Sequence, residues 1–434
     1  MYRSMLALAV LLAACESDLP PEMEHEIDAA ARTYGLSGGS ITREHISGDV
    51  YHHGFEVRVG DGPNATLAIH RVVRERAPWR PRRTTGAIML LHGDFATFAT
   101  NFAPALGDPP SSATGVATWL AERGIDVWGL DRRWTQAPET GADLSDFEDM
   151  GIDQELDDVG TALAFARAIR LVTDSSVDQM ILSGFSRGGQ LAYFYASDEA
   201  RRPSWQRHLK GLAILDVYAS LAPADEDLRQ FFCVTAADEY ALLADGWVDV
   251  PNSLQIEIGR LALDAPGDPS PIPFFEGLTN REAMLSLVGQ TYFFFPASPV
   301  YHLNAPVLDG GVPTGLRESS EDVVSSWLAG SAPHQSMRES ADTDALVCGD
   351  PPLPADVPLS RIRVPLLLIG AAGGYGDHAL HSTTQVSSTD VTTLVVRRLP
   401  VEREAEDFGH ADLLFSPDAP SLAWQPLLSW LRAH

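Results

Sequence analysis

A serine stands between two glycines directly behind an apolar run, in the segment Gly184-Phe185-Ser186-Arg187-Gly188. A serine hydroxyl is a weak nucleophile unless a tight turn presents it to a neighbouring base. Small residues two positions before and two positions after the serine let such a turn pass close to the surrounding backbone. The spacing therefore predicts Ser186 as the nucleophile of an acyl transfer.

The residues around this turn fit a strand followed by a helix. Met180 to Leu182 are bulky and apolar, and the segment from Gln190 to Ala196 has the apolar density of a buried helix that opens at Arg187. Because G-x-S-x-G alone occurs by chance in many proteins, this context gives the motif its weight.

A second apolar run, residues 87–91, leads into His92-Gly93-Asp94-Phe95. An uninterrupted run of this length predicts a buried parallel strand whose terminal loop carries function. Acyl transfer builds negative charge on a carbonyl oxygen, and two preorganised backbone N–H groups stabilise it. We expect these donors to be the amide of Arg187 and the amide of Asp94 or Phe95. His92 is interpreted as a structural residue of this loop.

The general base is predicted near the C-terminus, in Phe408-Gly409-His410-Ala411-Asp412. This loop follows a strand-like stretch at 392–396 and precedes an amphipathic helix at 421–431, so it returns to the sheet edge that carries the serine. His410 is therefore the predicted base. His378 and His381, in an earlier loop, are the alternatives.

Such a base needs a carboxylate that fixes its tautomer and stabilises the imidazolium. Asp377 is the first acid after the apolar run 364–369 and lies in a glycine-rich loop able to bend toward the histidine, so it is the predicted third member. Asp216 is the alternative, because some hydrolases take the acid from the preceding strand. Asp407 is a weaker candidate, since it is too close in sequence to His410.

The order Ser186, Asp377, His410 behind a His-Gly loop resembles the α/β-hydrolase superfamily. Segments 121–133 and 408–412 are similar to the acid-lipase and esterase branch, which hydrolyses carboxylic esters of lipids. The resemblance implies an α/β fold with a mostly parallel central sheet, helices on both faces, and a serine esterase or lipase without a cofactor. Cleavage of amides, thioesters or carbon–carbon bonds on the same fold, and a non-catalytic surface binding lipoprotein, are the alternatives.

Strands alternate with helices along the chain except between about residues 217 and 355. That stretch is rich in proline and acids, carries dense aromatic clusters, and is too long for a bare loop. We predict a helical cap at 217–355 between two parts of an α/β core, residues 51–216 and 356–434. Most of its aromatic residues are expected to fill the cap's own core or its contact with the sheet, and a minority to line an apolar pocket.

The N-terminus carries one positive charge, an apolar stretch at 5–14 and then Cys15. The stretch is too short to span a bilayer, and its end resembles a bacterial lipoprotein signal. This predicts removal of residues 1–14, lipidation of Cys15, a tether at 15–50, and anchoring to the cell envelope at the outer membrane or cell surface. An ordinary cleaved secretory signal is the alternative.

The chain has two cysteines besides Cys15, namely Cys233 and Cys348. In an oxidising compartment we expect these two to form a disulfide.

The charge balance limits the partners. The 434 residues include 59 acids and 31 bases, a formal net charge of −28, which would repel a phosphate backbone and argues against nucleic-acid binding. Neither His52-His53 nor the pair His378 and His381 has a second pair at metal-site spacing, so no metal or redox cofactor is predicted. The expected partners are a small-molecule or lipid ester and, through Cys15, a membrane.

Overall fold

The computed structural model describes residues 40–173, 176, 178–293 and 295–434. The strands are β1 (Ile41–Ser47), β2 (Val50–Arg58), β3 (Thr66–Ala77), β4 (Arg80–Pro81), β5 (Gly86–Leu91), β6 (Ile125–Asp131), β7 (Met180–Phe185), β8 (Leu209–Leu215), β9 (Asp249–Pro251), β10 (Pro306–Asp309), β11 (Val312–Leu316), β12 (His334–Ser336), β13 (Leu366–Ala371) and β14 (Val391–Val396). The helices are α1 (Phe98–Phe102), α2 (Val116–Glu122), α3 (Ile152–Val172), α4 (Arg187–Glu199), α5 (Glu226–Ala244), α6 (Ser253–Asp264), α7 (Asn280–Gly289), α8 (Glu321–Ala329), α9 (Met337–Cys348), α10 (Gly376–Thr384), α11 (Asp412–Phe415) and α12 (Gln425–Ala433).

A ten-stranded sheet forms the centre of the molecule, in the order β1-β2-β3-β6-β5-β7-β8-β13-β14 with β4 paired to β3. Six neighbouring strands of this sheet run parallel to one another, in the order β6-β5-β7-β8-β13-β14. At the other edge, β1, β2 and β3 are antiparallel to their neighbours. The predicted α/β architecture, with a mostly parallel sheet, is confirmed.

The central strands are apolar on both faces because helices cover both faces. β7 and β13 are buried along their whole lengths. On one side, side chains of α3 and α4 such as Leu163 and Leu191 pack on the sheet. On the other side, Leu120 of α2 and Leu427 of α12 do the same. The amphipathic pattern near the C-terminus correctly predicted the last of these helices.

The segment between β8 and β13 is mainly helical, with small antiparallel pairs β9–β12 and β10–β11. It has its own apolar core, which includes Ile258, Phe275, Leu285 and Leu328. A disulfide joins Cys233 on α5 to Cys348 at the end of α9, as the sequence predicted. We call this segment the cap.

The predicted start of the core is wrong by about ten residues. Residues 41–50, assigned to the tether, form β1 and the first residue of β2, and Ile41 pairs with Phe55. The short strand is held by packing rather than by its own apolar content, since Arg43 stacks on Tyr51 and binds Glu75. The predicted signal peptide, Cys15 and the rest of the tether lie outside the described residues. Within the described part of the chain, no helix has the length and apolar character that a membrane span requires.

Candidate active site

Ser186 occupies a sharp turn between β7 and α4. Its backbone angles are φ 55° and ψ −132°, a left-handed conformation that is costly for a residue with a side chain. The turn closes tightly, because a Cβ on Gly184 would lie 2.0 Å from the carbonyl oxygen of Gly188. The strand, turn and helix predicted around Ser186 are therefore confirmed.

The imidazole of His410 is paired with the carboxylate of Asp216. Nδ1 of His410 lies 2.6 Å from Oδ2 of Asp216, and both side chains are buried. A carboxylate accepts the Nδ1 proton, which leaves Nε2 free to accept another. The ring of His410 also stacks on Phe185, the residue before Ser186, at 4.4 Å between ring centroids. This arrangement orients a base beside the serine turn.

Asp216 is itself held by the loop that follows β13. The amide of Ala371 donates to Oδ1 at 2.7 Å, and the amide of Tyr375 lies 3.2 and 3.1 Å from the two carboxylate oxygens. A Cβ on Gly374 would be only 2.0 Å from Oδ2 of Asp216, so a glycine is required for the loop to approach the acid. The loop thus fixes the carboxylate with its backbone.

The amides of Gly93, Asp94 and Phe95, in the loop after β5, differ in whether they have an acceptor. The amide of Gly93 donates to Oδ1 of Asn101 at 2.9 Å, and the amide of Phe95 donates to Oε1 of Gln335 at 3.2 Å. The amide of Asp94, between them, has no acceptor among the described residues. The prediction that named Asp94 or Phe95 as oxyanion donor therefore narrows to Asp94, because the Phe95 amide is already engaged.

Arg132 sets the direction of the Asp94 amide. Its Nη2 donates to the carbonyl oxygen of Gly93 at 2.8 Å. Since the C=O and N–H of one trans peptide point in opposite directions, the Asp94 N–H points away from Arg132. Gly93 lies against the nucleophile turn, because a Cβ on it would be 3.0 Å from Cβ of Ser186. The free amide and the serine are therefore neighbours.

His92 has the structural role that the sequence predicted. It is fully buried, and its Nδ1 lies 2.9 Å from the carbonyl oxygen of Gly93. Burial, followed by the charge of Arg132, lowers the pKa of His92 to about 3. The ring is therefore neutral near pH 7 and serves to hold the loop.

A cavity of about 330 Å³ opens onto these groups. Ser186, His410 and Asp94 form one part of its wall. The rest is mainly aromatic and aliphatic, with the cap and the core both contributing: Leu254, Leu287, Phe295, Tyr301, Leu303, Trp327 and Tyr375. A serine on a strained turn, an imidazole paired with a carboxylate, and a free amide therefore share one mainly apolar cleft.

No protein-family model and no curated protein matches the chain. Among solved structures it is similar to a putative lipase from Sulfolobus solfataricus, with 16% identity, a TM-score of 0.63, and coverage of 92% of this chain and 99% of that one. A soluble variant of monoglyceride lipase from Saccharomyces cerevisiae is more distant, with 12% identity, a TM-score of 0.41, and coverage of 91% and 95%. The chain has the α/β-hydrolase fold.

Within this α/β-hydrolase fold, the prediction of Asp377 as the partner of the histidine is wrong. Asp377 lies in the first turn of α10, where its carboxylate binds Arg397 and its side chain is 53% exposed. The glycine-rich loop does bend toward His410, but it brings backbone amides and not an acidic side chain. Asp216, the second candidate from the sequence, makes the contact instead.

His378 and Asp407, which the sequence also offered as base and acid, contact groups away from the serine turn. His378 contacts Asp225 through Nδ1 at 3.0 Å. Asp407 accepts the amides of Arg398 and Phe408 through Oδ1 and so holds its own loop. Of the candidate histidines and acids, His410 and Asp216 are therefore the pair that the structure brings together beside the serine turn.

Sequence reasoning missed Asn101, Arg132 and Gln335, which orient the loop after β5. Asn101 and Arg132 contact Gly93 across 8 and 39 positions of sequence, and Gln335 contacts Asp94 across 241. No local sequence motif indicates these contacts. The glycines at 370–376 did carry a signal for Asp216, because glycines at a strand end indicate a close approach of backbone to another group.

Proposed function

We propose that the protein is a serine hydrolase that cleaves carboxylic esters through an acyl-enzyme intermediate. Ser186 Oγ attacks the ester carbonyl carbon while His410 Nε2 takes the hydroxyl proton. Asp216 keeps the proton on Nδ1 and stabilises the imidazolium that forms. His410 then protonates the departing alcohol, and water attacks the acyl-enzyme under the same base.

The amides of Asp94 and Arg187 stabilise the oxyanion of each tetrahedral intermediate. Arg187 is the first residue of α4, so its N–H has no acceptor within the helix, and the positive end of the helix dipole lies at the same point. Fixed donors of this kind bind the developing negative charge more strongly than they bind the neutral ester. They therefore lower the barrier to the reaction as well as aiding binding.

The observation that carries this proposal is the buried His410–Asp216 pair in the same cavity as the strained Ser186 turn. Burial of an imidazole and a carboxylate is unfavourable unless the two are paired, and strain at a nucleophile persists only where the surrounding structure enforces it. A surface binding protein would need neither feature. The likeness to a putative lipase supports the reaction class.

The cavity supports an apolar ester of modest size. The volume of about 330 Å³ lies near the lower end of the range of roughly 300–1,000 Å³ that is typical of small-molecule sites. Its aromatic and aliphatic walls favour an apolar acyl or alcohol part. We infer that esters with short to medium chains fit in full and that a long fatty chain must extend into solvent beside the half-exposed Leu254.

We also propose that the chain is exported and anchored through a lipid on Cys15. The signal-like N-terminus supports this, and so does the Cys233–Cys348 disulfide, because such bonds persist in oxidising compartments. We expect radiolabelled palmitate to be incorporated into the parent chain and not into a Cys15→Ala variant in a bacterial host. Equal labelling of the two would contradict the anchor.

A fluorophosphonate probe tests the proposed chemistry directly. We expect one covalent adduct per chain, located on the peptide that contains Ser186 by mass spectrometry, because the probe reacts with activated serines and its adduct mimics the tetrahedral intermediate. Heat-denatured protein serves as the control and is expected to remain unlabelled. Absence of an adduct on the native chain, or an adduct on another serine, would contradict the proposal.

A further inference from the structure

The side chain of Arg187 connects the nucleophile turn to two other parts of the molecule. Its Nε donates to Oδ1 of Asp94 at 2.6 Å, and its Nη1 donates to Oδ1 of Asp344 on α9 at 2.9 Å. Burial alone would raise the pKa of Asp94, but Arg187, Gln335 and Arg132 outweigh it and lower that pKa. The loop after β5, the start of α4 and the cap are therefore joined through the Arg187 guanidinium.

Gln335 extends this connection from the β12 strand of the cap. Its Nε2 donates to Oδ1 of Asp94 at 2.7 Å, while its Oε1 accepts the amide of Phe95 at 3.2 Å. The residue is buried, with 2% of its surface exposed. The amide of Ala332, also in the cap, donates to the carbonyl oxygen of Phe95 at 2.6 Å. The cap thus binds both polar backbone groups of Phe95 and the side chain of Asp94.

These contacts hold a strained piece of backbone. Phe95 has φ 52°, which costs energy for a residue with a side chain and persists only where neighbours enforce it. The Asp94 amide lies one residue before this strained position. If the contacts of Gln335 were lost, the part-buried Phe95 N–H would lose its acceptor and could compete with the Asp94 N–H for a carbonyl in the site.

We propose that Gln335 is a positioning residue of the oxyanion hole, so that the cap is a structural part of the catalytic apparatus as well as a wall of the cavity. This inference rests on the proposed function. Gln335 does not touch the substrate; it fixes the Asp94–Phe95 turn from the opposite side. Its contribution is therefore expected in the transition state, where the oxyanion exists, and not in ground-state binding.

The test is Gln335→Met, which keeps the length of the side chain and removes both hydrogen bonds. We expect kcat for p-nitrophenyl butyrate to fall about 10- to 100-fold, somewhat less than the loss of an oxyanion donor itself, with KM changing less than about twofold. An alkyl boronic acid, which forms a charged tetrahedral adduct with a reactive serine, is expected to bind more weakly by a similar factor. The matched control is Gln230→Met on α5, whose side chain is exposed and donates a hydrogen bond to Glu226 in its own helix. It is expected to behave as the parent in each assay.

A double-mutant cycle with Asp94→Asn extends the test. Asparagine keeps the shape of the side chain but removes the negative charge to which Gln335 and Arg187 donate, which weakens both hydrogen bonds, and we expect kcat to fall about threefold or more. Because the two residues share one hydrogen bond, the effects of Asp94→Asn and Gln335→Met are expected to be non-additive. If Gln335→Met does not fold, as judged by thermal unfolding, Asp94→Asn tests the same contact from its other end.

The outcomes separate the two proposals. A parent that neither hydrolyses esters nor binds the boronic acid overturns the proposed function, and the role of Gln335 with it. An active parent whose Gln335→Met variant retains both kcat and boronic acid affinity overturns the role of Gln335 alone. A loss of kcat with unchanged boronic acid affinity would do the same, because a defect in the oxyanion hole must weaken the tetrahedral adduct.

Discussion

Ser186→Ala is expected to lower kcat for p-nitrophenyl butyrate by about 10⁵- to 10⁶-fold, the size of loss seen when a serine that acts together with its base is removed. Alanine cannot form the acyl-enzyme, and His410 cannot compensate because it has no hydroxyl to activate. The residual rate above the uncatalysed reaction comes from the Asp94 and Arg187 amides, which the substitution leaves in place. Fixed-time assays at high enzyme concentration measure this residual rate.

The fold of this variant is expected to survive. The strain at position 186 resides in the backbone, with φ 55°, and alanine occupies that conformation no more easily and no less easily than serine. Thermal unfolding followed by circular dichroism is therefore the control, and the midpoint should stay within a few degrees of the parent. A variant that folds and still hydrolyses the ester within tenfold of the parent would remove Ser186 from the mechanism.

The same assay separates substrates by size. The cavity of about 330 Å³ should accept the acyl groups of p-nitrophenyl acetate and butyrate in full, whereas the end of a palmitoyl chain would remain outside it. Each methylene buried in an apolar site contributes about 0.8 kcal/mol, so kcat/KM should rise with chain length only until the cavity is filled. A steady rise up to palmitate would contradict the inferred size of the substrate.

The sheet and its order of elements could be predicted because each rests on local pattern. Apolar runs such as 87–91 and 364–369 predict buried parallel strands, and the amphipathic stretch near the C-terminus predicts the last helix. β1 could not be predicted in the same way. Its polar residues are stabilised by Glu75 and Tyr51, and these contacts come from strands further along the chain.

The residues of the candidate site also differ in whether a local pattern predicts them. Ser186, and His410 as base candidate, were found from motifs, because a tight turn and a loop behind the last strand both leave local traces. The choice between Asp216 and Asp377 depended on which side chain points inward, and sequence spacing does not carry that information. Asp377 falls in the first turn of a helix and faces Arg397, while Asp216 sits at φ 49° under a cover of backbone amides. Gln335 could not be identified from the sequence for the same reason.

The two acids give opposite expectations on substitution. Asp216→Asn is expected to lower kcat about 10⁴-fold, the loss typical when the orienting carboxylate of such a base becomes an amide. Asp377→Asn is expected to stay within about twofold of the parent, because it breaks only an exposed ion pair with Arg397, and exposed pairs contribute about 0–1 kcal/mol. The kinetic constants of both variants, measured side by side on one ester, test the correction.

The large loss follows from the tautomer of His410. In Asp216→Asn the amides of Ala371 and Tyr375 still require the acceptor that Oδ1 provides to both, so the new oxygen takes that place and the new NH₂ takes the place of Oδ2, which faces the histidine. An NH₂ group can only donate, which forces Nδ1 of His410 to accept and moves the ring proton to Nε2. Nε2 then cannot take the proton of Ser186. Equal losses in the two variants, or a loss confined to Asp377→Asn, would mean that the His410–Asp216 contact is not the one that orients the base.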